Sequence, residues 1–90
     1  MTKITHENSK FEIFMDDKKA GELLYDKKDE HILNIYHTEF DEAYSGHGLG
    51  KKLVEAAVNF AKENDLKLAA TCPYANAVLS KDTNATDVFV

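Results

Sequence analysis

The sequence contains no arginine. All eleven basic residues are lysines, and sixteen acidic residues outnumber them to give a formal net charge of -5. Lysine lacks the planar fork with which arginine holds a phosphate through two hydrogen bonds. An acidic chain without arginine is a poor candidate for binding a DNA or RNA duplex, because that affinity depends largely on cationic contacts to phosphates. We therefore expect no nucleic-acid partner.

Cysteine is almost as scarce, since Cys72 is the only one in the chain. A single cysteine excludes an internal disulfide and leaves no Cys-x-x-Cys pair for zinc. The four histidines, at positions 6, 31, 37 and 47, include no His-x-x-x-His pair of the kind that meets on one helix face. If His31 and His37 share a strand face, six residues separate them by about 20 Å, too far for one ion. The sequence therefore predicts no metal site.

Long apolar runs are also absent. No run approaches the ~18 residues that a membrane-spanning helix needs, and the first eight residues lack the apolar segment of a secretory signal. We expect no membrane partner and a cytoplasmic location. Ninety residues, 43% of them apolar and 30% charged, are typical of one small globular domain. We expect a single domain over residues 1–90, with residues 1–9 loosely ordered.

The hydrophobic pattern predicts an α/β (α+β) domain with a mixed sheet of about four strands, one long helix and one short helix. The third strand, residues 31–40, is long for a small domain and favours a β-bulge. The long helix begins at Gly48 and ends with Asn64 as the left-handed residue. The short helix has Cys72 as its N-cap and Pro73 as its first residue. A right-handed crossover makes the third and fourth strands parallel neighbours. The predicted strands are residues 11–15, 20–25, 31–40 and 66–71.

Three of the four glycines alternate within one stretch, Tyr44-Ser45-Gly46-His47-Gly48-Leu49-Gly50-Lys51-Lys52, between a predicted strand and the long helix. Glycine lets a ligand approach the backbone closely, and the first turn of a helix presents unpaired N–H groups and the positive end of its dipole. Lys51 and Lys52 are unfavourable in that turn unless an external anion binds there. The stretch therefore predicts a phosphate-binding loop. The alternative is a tight loop whose glycines serve packing alone.

Two common phosphate-binding loops do not fit this stretch. The nucleoside triphosphate loop has four residues between its first glycine and its Gly-Lys-Ser/Thr, whereas three residues separate Gly46 from Gly50. Lys52 also stands where that loop needs a magnesium-binding hydroxyl. The dinucleotide-binding fingerprint would need a third glycine at position 51, where the chain has lysine.

The segment Ser45-Gly46-His47-Gly48-Leu49-Gly50, between a strand and an amphipathic helix, resembles the pyrophosphate loop of the GNAT N-acetyltransferases. That loop usually reads Arg or Gln, two residues, Gly, one residue, and Gly or Ala. Gly48 and Gly50 take the two small positions, while Ser45 departs from the usual Arg or Gln. The resemblance covers about residues 11–79 and is to small GNAT-like proteins of about this length. Three further segments carry it: His37-Thr38-Glu39-Phe40, Leu53-Val54-Glu55-Ala56-Ala57 and Cys72-Pro73-Tyr74.

The resemblance implies that the third and fourth strands splay apart at their C-terminal ends and hold acetyl-CoA, as co-substrate, in the wedge between them. Pantetheine would pair with the backbone of Thr38, Glu39 and Phe40. The chain would transfer the acetyl group to an unidentified amine, as a monomer or weak dimer. The alternative is a non-catalytic acyl-CoA-binding module, because larger family members build the acceptor site with extra N-terminal helices. The pyrophosphate would lie on Ser45, Gly46, His47, Gly48, Leu49, Gly50 and Lys51.

Cys72 and Glu39 are the candidate catalytic residues. At a helix N-cap the Cys72 thiolate is stabilised by the dipole and could accept the acetyl group and pass it on; a buried cysteine that acts as a small hydrophobe is the alternative. Glu39 is either a base or a solvated strand-end carboxylate. His37 shares its strand face, where a structural hydrogen bond within the sheet is the stronger interpretation. Tyr74 could protonate the leaving thiolate or serve packing, and His47 could donate to a phosphate or lie in solvent.

Overall fold

The computed structural model describes residues 2–44 and 48–90. It confirms the predicted α+β class, with a sheet of five strands in the order β1-β2-β3-β4-β5 instead of about four. In the described residues neither α-helix is long and apolar enough to cross a membrane. The elements in chain order are β1 (Thr2–Glu7), β2 (Lys10–Met15), β3 (Lys18–Asp29), β4 (Ile32–Phe40), a 3-10 turn (Glu42–Tyr44), α1 (Leu49–Glu63), β5 (Lys67–Ala70), α2 (Pro73–Lys81) and a second 3-10 turn (Thr83–Ala85).

The additional strand is β1, in the segment that we expected to be loosely ordered. It pairs antiparallel with β2 along its whole length. Its side chains are almost all exposed, so the alternation of apolar and polar residues that reveals a strand is missing. An aromatic cluster attaches β1 to the rest of the domain, because the His6 ring stacks on Phe11 at a centroid distance of 4.0 Å and meets Phe60 of α1 edge-on at 4.5 Å.

The long β4 strand contains the predicted bulge. Leu24 of β3 pairs with His37, whereas the next residue, Tyr25, pairs with Ile35, so Tyr36 is the extra residue of β4. A bulge shifts the alternation of side chains by one position. Every side chain beyond Tyr36 therefore faces the side of the sheet opposite to the one that a regular strand would give it.

β4 and β5 are parallel, as predicted, and they separate near the middle of β4. Their pairing ends at Ile35 and Ala70. The N–H groups of Thr71 and Cys72 then both donate to the carbonyl of Ile35, at 3.0 and 3.1 Å, and the chain turns into α2. β4 continues to Phe40 beyond the last β5 pair. The C-terminal part of β4 therefore runs past the end of β5 without a strand partner on that side, and we call this place the wedge.

α1 packs its apolar stripe on one face of the sheet, which we call the core face. The buried residues of α1 are Leu49, Gly50, Leu53, Val54, Ala57, Val58 and Ala61. The buried strand residues of the same cluster include Phe11, Ile13, Leu23, Leu33, Ile35 and Leu68. Strand alternation and the register place charged or polar side chains on the opposite face, which we call the polar face: Glu12, Glu22, His37 and Glu39.

The end of α1 differs from the prediction by one residue. Asn64 has a φ of -114°, while Asp65, with a φ of 55°, is the left-handed residue. The Asn64 side chain instead donates to the carbonyl of Phe60 at 2.8 Å. Asparagine therefore closes the last turn with its side chain, and the backbone reversal falls on the next residue.

Candidate active site

Three chain segments meet at the open end of the wedge. Phe40 ends β4, Gly50 lies in the first turn of α1, and Tyr74 lies in the first turn of α2. The rings of Phe40 and Tyr74 have centroids 5.5 Å apart, and a Cβ on Gly50 would overlap the Tyr74 hydroxyl and ring. The residue at position 50 must therefore be glycine for Tyr74 to lie where it does.

Gly50 thus has the packing role that we kept as the alternative for the loop glycines, and its part in a phosphate-binding loop stays a prediction. The same contact makes Tyr74 a packing residue, although its side chain stays 43% exposed. Its hydroxyl lies against the first turn of α1. Tyr74 both packs against α1 and remains partly open to solvent. Its predicted role as a proton donor therefore stays a prediction.

No side chain of the described residues caps the N-terminus of α1. Gly48 is the N-cap residue, with a φ of 68° and a ψ of 25°. A Cβ at this position would meet no atom within 4 Å, so glycine serves the left-handed backbone there rather than a close approach. The first turn contains no acidic residue, and Lys51 and Lys52 are exposed. The first-turn N–H groups and the two ammonium groups together make this end of α1 electropositive.

The loop residues assigned to pyrophosphate divide into two groups. Ser45, Gly46 and His47 lie outside the described residues, so their predicted roles stay predictions. Leu49 is buried in the core with 4% of its surface exposed. Its side chain is therefore committed to packing, and only its backbone could serve a ligand.

Cys72 has the predicted N-cap position at the start of α2 and faces Thr38 across the wedge. Its thiol Sγ lies 3.3 Å from Oγ1 of Thr38 in a hydrogen bond that either atom can donate. Burial raises the pKa of the Cys72 thiol, but the Thr38 side chain and the backbone N–H groups of Ala75 and Tyr74 together outweigh it. The net result is a pKa below the ordinary value for cysteine. Cys72 also belongs to the buried core, with 8% of its surface exposed.

Glu39 points away from Cys72. The register places Thr38 opposite the buried Leu23 and Glu39 opposite Glu22, so Thr38 faces the core and Glu39 lies on the polar face. The two predicted catalytic residues therefore flank β4 from opposite sides. The wedge is where both faces can be reached, because β4 has no β5 partner there.

His37 accompanies Glu39 on the polar face. Its Nε2 lies 3.7 Å from Oε2 of Glu39, with the two side chains 47% and 70% exposed. The expected hydrogen bond of His37 within the sheet is not among the contacts of the described residues. Glu22 brings a third group, and one ligand atom from each of the three residues lies within 4.8 Å of the others.

Two features of the candidate site were not predicted from the sequence. The first is the Thr38 hydroxyl, because we considered only the backbone of Thr38. The second is Glu22, which faces Glu39 only in the actual β3–β4 register. A hairpin alignment that placed the bulge at Tyr36 would have put Glu22 opposite Glu39 and turned Thr38 toward the core.

Comparison with known proteins gives a consistent family match. The family model of the GCN5-related N-acetyl-transferases matches residues 10–88. Among curated proteins, Protein NATD1 of Homo sapiens is 44% identical over 52 residues, which are 58% of this chain and 46% of that protein. Protein NATD1 of Gallus gallus gives the same identity over 58% of this chain and 47% of its own length. The chain thus spans about half the length of the curated relatives that it matches.

Solved structures extend the likeness to the whole fold. A GCN5-like protein from Staphylococcus aureus is similar with a TM-score of 0.81 and 35% identity, over 98% of this chain and 87% of that one. The ribosomal-protein-alanine N-acetyltransferase of Brucella melitensis biovar Abortus 2308 has a TM-score of 0.67 over 84% of this chain and 64% of its own. At 15% identity, this second likeness concerns the fold alone.

Proposed function

Because the chain belongs to the GCN5-related N-acetyltransferase family, we propose that it binds acetyl-CoA in the β4–β5 wedge and transfers the acetyl group to an amine. One observation carries the proposal: the end of β4 loses its β5 partner and lies close to the N-terminus of α1, which no side chain of the described residues caps. An extended molecule with amides along its length and a pyrophosphate at one end matches that arrangement. The location proposed for this reaction is the cytoplasm.

Binding divides between the two elements. The backbone groups of Thr38, Glu39 and Phe40 that point to the side without β5 are those that we propose to pair with pantetheine. The pyrophosphate then reaches the first turn of α1, where the N–H groups, the helix dipole and the exposed Lys51 attract an anion. This attraction is local, since the chain as a whole carries a net charge of -5.

Cys72 is the residue that we propose to react with the thioester. Its thiolate attacks the carbonyl carbon, a new C–S bond forms, and the bond to the CoA sulfur breaks with its electron pair left on that sulfur. The departing thiolate takes a proton from the Tyr74 hydroxyl, which solvent then reprotonates. The Thr38 contact and the lowered pKa of Cys72 support this covalent route.

Glu39 is the base that we propose for the second half of the reaction. It removes a proton from the acceptor ammonium on the polar face, and the neutral amine attacks the S-acetyl carbon of Cys72. The C–N bond forms, the C–S bond breaks with its electron pair left on the Cys72 sulfur, and the amide nitrogen gives its second proton to solvent, so Cys72 is released as the thiolate. In the direct alternative the same amine attacks acetyl-CoA itself, and Cys72 takes no acetyl group.

A non-catalytic acyl-CoA-binding module is the second candidate function. The observation that favours it is the placement of Cys72 and Glu39 on opposite faces of β4, since a base usually lies within hydrogen-bond reach of the group that it deprotonates. This candidate predicts acetyl-CoA binding without an acetylated protein and without transfer to any amine.

The decisive experiment titrates isotope-labelled protein with acetyl-CoA and follows both amide chemical shifts and intact mass. We expect shifts at residues 38–40 and 48–51 and at Cys72, with the added mass of one acetyl group on the wild type but not on Cys72→Ala. Shifts with no added mass and no acetylated product from a screen of amines would favour the binding module, whereas acetylated amine without added mass would favour direct transfer. If millimolar acetyl-CoA moved no amide resonance, the wedge would not be the acetyl-CoA site and the proposal would fall.

A further inference from the structure

We propose that Glu22, His37 and Glu39 form a binding site for a divalent transition-metal ion, with Zn²⁺ as the reference case, on the polar face of the sheet. They supply one imidazole nitrogen and two carboxylate oxygens, all within 4.8 Å of one another. Ligands of a tetrahedral zinc ion at about 2.1 Å lie roughly 3.4 Å apart. Nε2 of His37 and Oε2 of Glu39 are already 3.7 Å apart, so small side-chain rotations complete the set.

The backbone fixes the three positions. Glu22 and Glu39 are direct partners across the β3–β4 ladder, and His37 lies two residues from Glu39 on the same strand. Opposite residues on one face of a sheet have Cβ atoms about 5 Å apart. The sheet therefore holds the three side chains at the spacing of one ion without any loop movement.

Lys19 orients the Glu22 ligand. Its ammonium donates to the Glu22 carboxylate and lies 3.0 Å from the Glu12 carboxylate. Carboxylates that bind metals are commonly held by such outer hydrogen bonds. The side chain of Glu22 is only 18% exposed, so this carboxylate is restrained on the sheet surface.

The local charge also favours a cation. Two carboxylates, those of Glu12 and Glu22, share the ammonium groups of Lys10 and Lys19. In the described part of the chain no lysine pairs with Glu39. Like charges directly opposite each other on a sheet are unfavourable, and an ion between Glu22 and Glu39 would remove that repulsion.

The ligand types select the class of metal. One imidazole with two carboxylates suits zinc and its neighbours, whereas calcium prefers six to eight oxygen ligands. His37 and Glu39 are 47% and 70% exposed, so water can fill the remaining coordination positions and the site is open. Pairs of cysteines or histidines can be recognised in the sequence. A set of metal ligands that combines glutamate and histidine from two strands is recognised only from the strand register.

A metal ion bound at this site would affect acetyl transfer, an inference that rests on the proposed function. An ion held by Glu39 occupies the carboxylate that would accept the proton of the amine. Metal binding would then inhibit acetyl transfer while leaving the acetylation of Cys72 unaffected.

Calorimetry with ZnCl₂ and untagged protein tests the site, together with NMR of the histidine ring nitrogens. We expect one equivalent of zinc to bind, with the His37 imidazole signals shifting first. Glu22→Gln, Glu39→Gln and His37→Ala should each weaken binding at least tenfold. His31→Ala, in the β3–β4 turn, and Cys72→Ser are the matched controls and should bind as the wild type does.

Three results would overturn the site: no saturable binding at millimolar zinc, unchanged affinity in His37→Ala, or loss of binding in Cys72→Ser alone. Amide spectra of each variant without zinc show whether it keeps the fold, and Glu39→Gln is a nearly isosteric change at an exposed position. Zinc binding is measured without acetyl-CoA, so a failure of the metal site and a failure of the proposed acetyl transfer are separate results.

Discussion

The two faces of β4 beyond its bulge carry opposite kinds of chemistry. On the core face, the Thr38 hydroxyl contacts the thiol of Cys72, a residue with 8% of its surface exposed. Burial raises the pKa of this thiol, but its hydrogen bonds lower it by more, so the net pKa is below the ordinary value. On the polar face, Glu39 and His37 are 70% and 47% exposed. The bulge at Tyr36 produces this division, because it decides which of residues 37–40 point to which side. In the proposed reaction, Cys72 as the nucleophile would gain from a fixed environment, while the amine acceptor would gain from an accessible face.

The largest effect on acetyl transfer should come from substitutions that remove the proposed reactive group on one face of β4 at a time. We expect Cys72→Ala to abolish the acetylated protein completely, since no other cysteine can take its place. Glu39→Gln should leave that acetylation intact and slow transfer to an amine by roughly a hundredfold, in the range typical of a lost general base. Intact mass measures the first half-reaction and amine acetylation the second.

The reverse pattern would contradict the division of roles. If Glu39→Gln prevented acetylation of Cys72, or if Cys72→Ala kept the full rate of transfer, the two faces would not serve two half-reactions. Glu55→Gln, on the exposed side of α1, removes an equivalent charge away from β4 and serves as the control.

The next largest effect concerns the N-terminus of α1, where the proposed pyrophosphate site lies. Gly48→Asp places a carboxylate about 6 Å from a bound phosphate, and repulsion of about 3 kcal/mol lowers acetyl-CoA affinity roughly a hundredfold. Gly48→Asn is the matched control, because asparagine has nearly the same shape, tolerates a positive φ and carries no charge. Calorimetric titration with CoA gives both affinities.

Equal affinities for the two variants would show that charge at this position does not reach the ligand. Since the φ of Gly48 is 68°, both variants should lose a similar amount of stability. Their thermal unfolding midpoints therefore serve as the check that they differ only in charge.

A smaller effect is expected from Thr38→Val, which keeps the shape of Thr38 and removes its hydroxyl. The lost hydrogen bond should raise the pKa of Cys72 toward the ordinary value, because that bond opposes the effect of burial. The stability cost should be about 1 kcal/mol. Alkylation by iodoacetamide as a function of pH measures the change, with Thr38→Ser as the control that retains a hydroxyl. A pH profile unchanged in Thr38→Val would remove Thr38 from the activation of the thiol.

Local signals in the sequence predicted the elements that surround Cys72 on the core face. Pro73 fixes the start of α2, and therefore Cys72 as its N-cap. The apolar stripe of α1 and the crossover rule give the parallel β4–β5 pair. Each of these signals lies within a short segment, so no knowledge of distant partners was needed.

The polar face depended on distant pairings that the sequence does not reveal. Glu22 faces Glu39 only because the bulge falls at Tyr36, and a shift of one residue would send Glu39 to the other side. Gly50 and Tyr74 are 24 residues apart in the sequence, and their contact arises from the packing of α1 against α2. β1 was missed because a polar edge strand has no apolar alternation to detect.

The smallest effect is expected at the far edge of the sheet, at the aromatic cluster that holds β1. Burial lowers the pKa of His6 below its ordinary value of 6.5, so the folded protein holds fewer protons than the unfolded chain between the two pKa values. The contribution of neutral His6 to the free energy of unfolding is complete above pH 6.5, and falls as the pH drops toward the folded pKa.

His6→Gln removes this titration, so the difference in unfolding free energy between the wild type and the variant should shrink from pH 8 to about pH 5.5. Urea unfolding at the two pH values measures it, and the change should be small because His6 is largely exposed. If the difference in unfolding free energy were the same at both pH values, His6 would not be the group that takes up the proton. The alkylation profile of Cys72 in His6→Gln is a control for Thr38→Val, because it shows what a change at β1 does to the thiol. A change that occurs in Thr38→Val and not in His6→Gln is therefore assigned to the core face of β4.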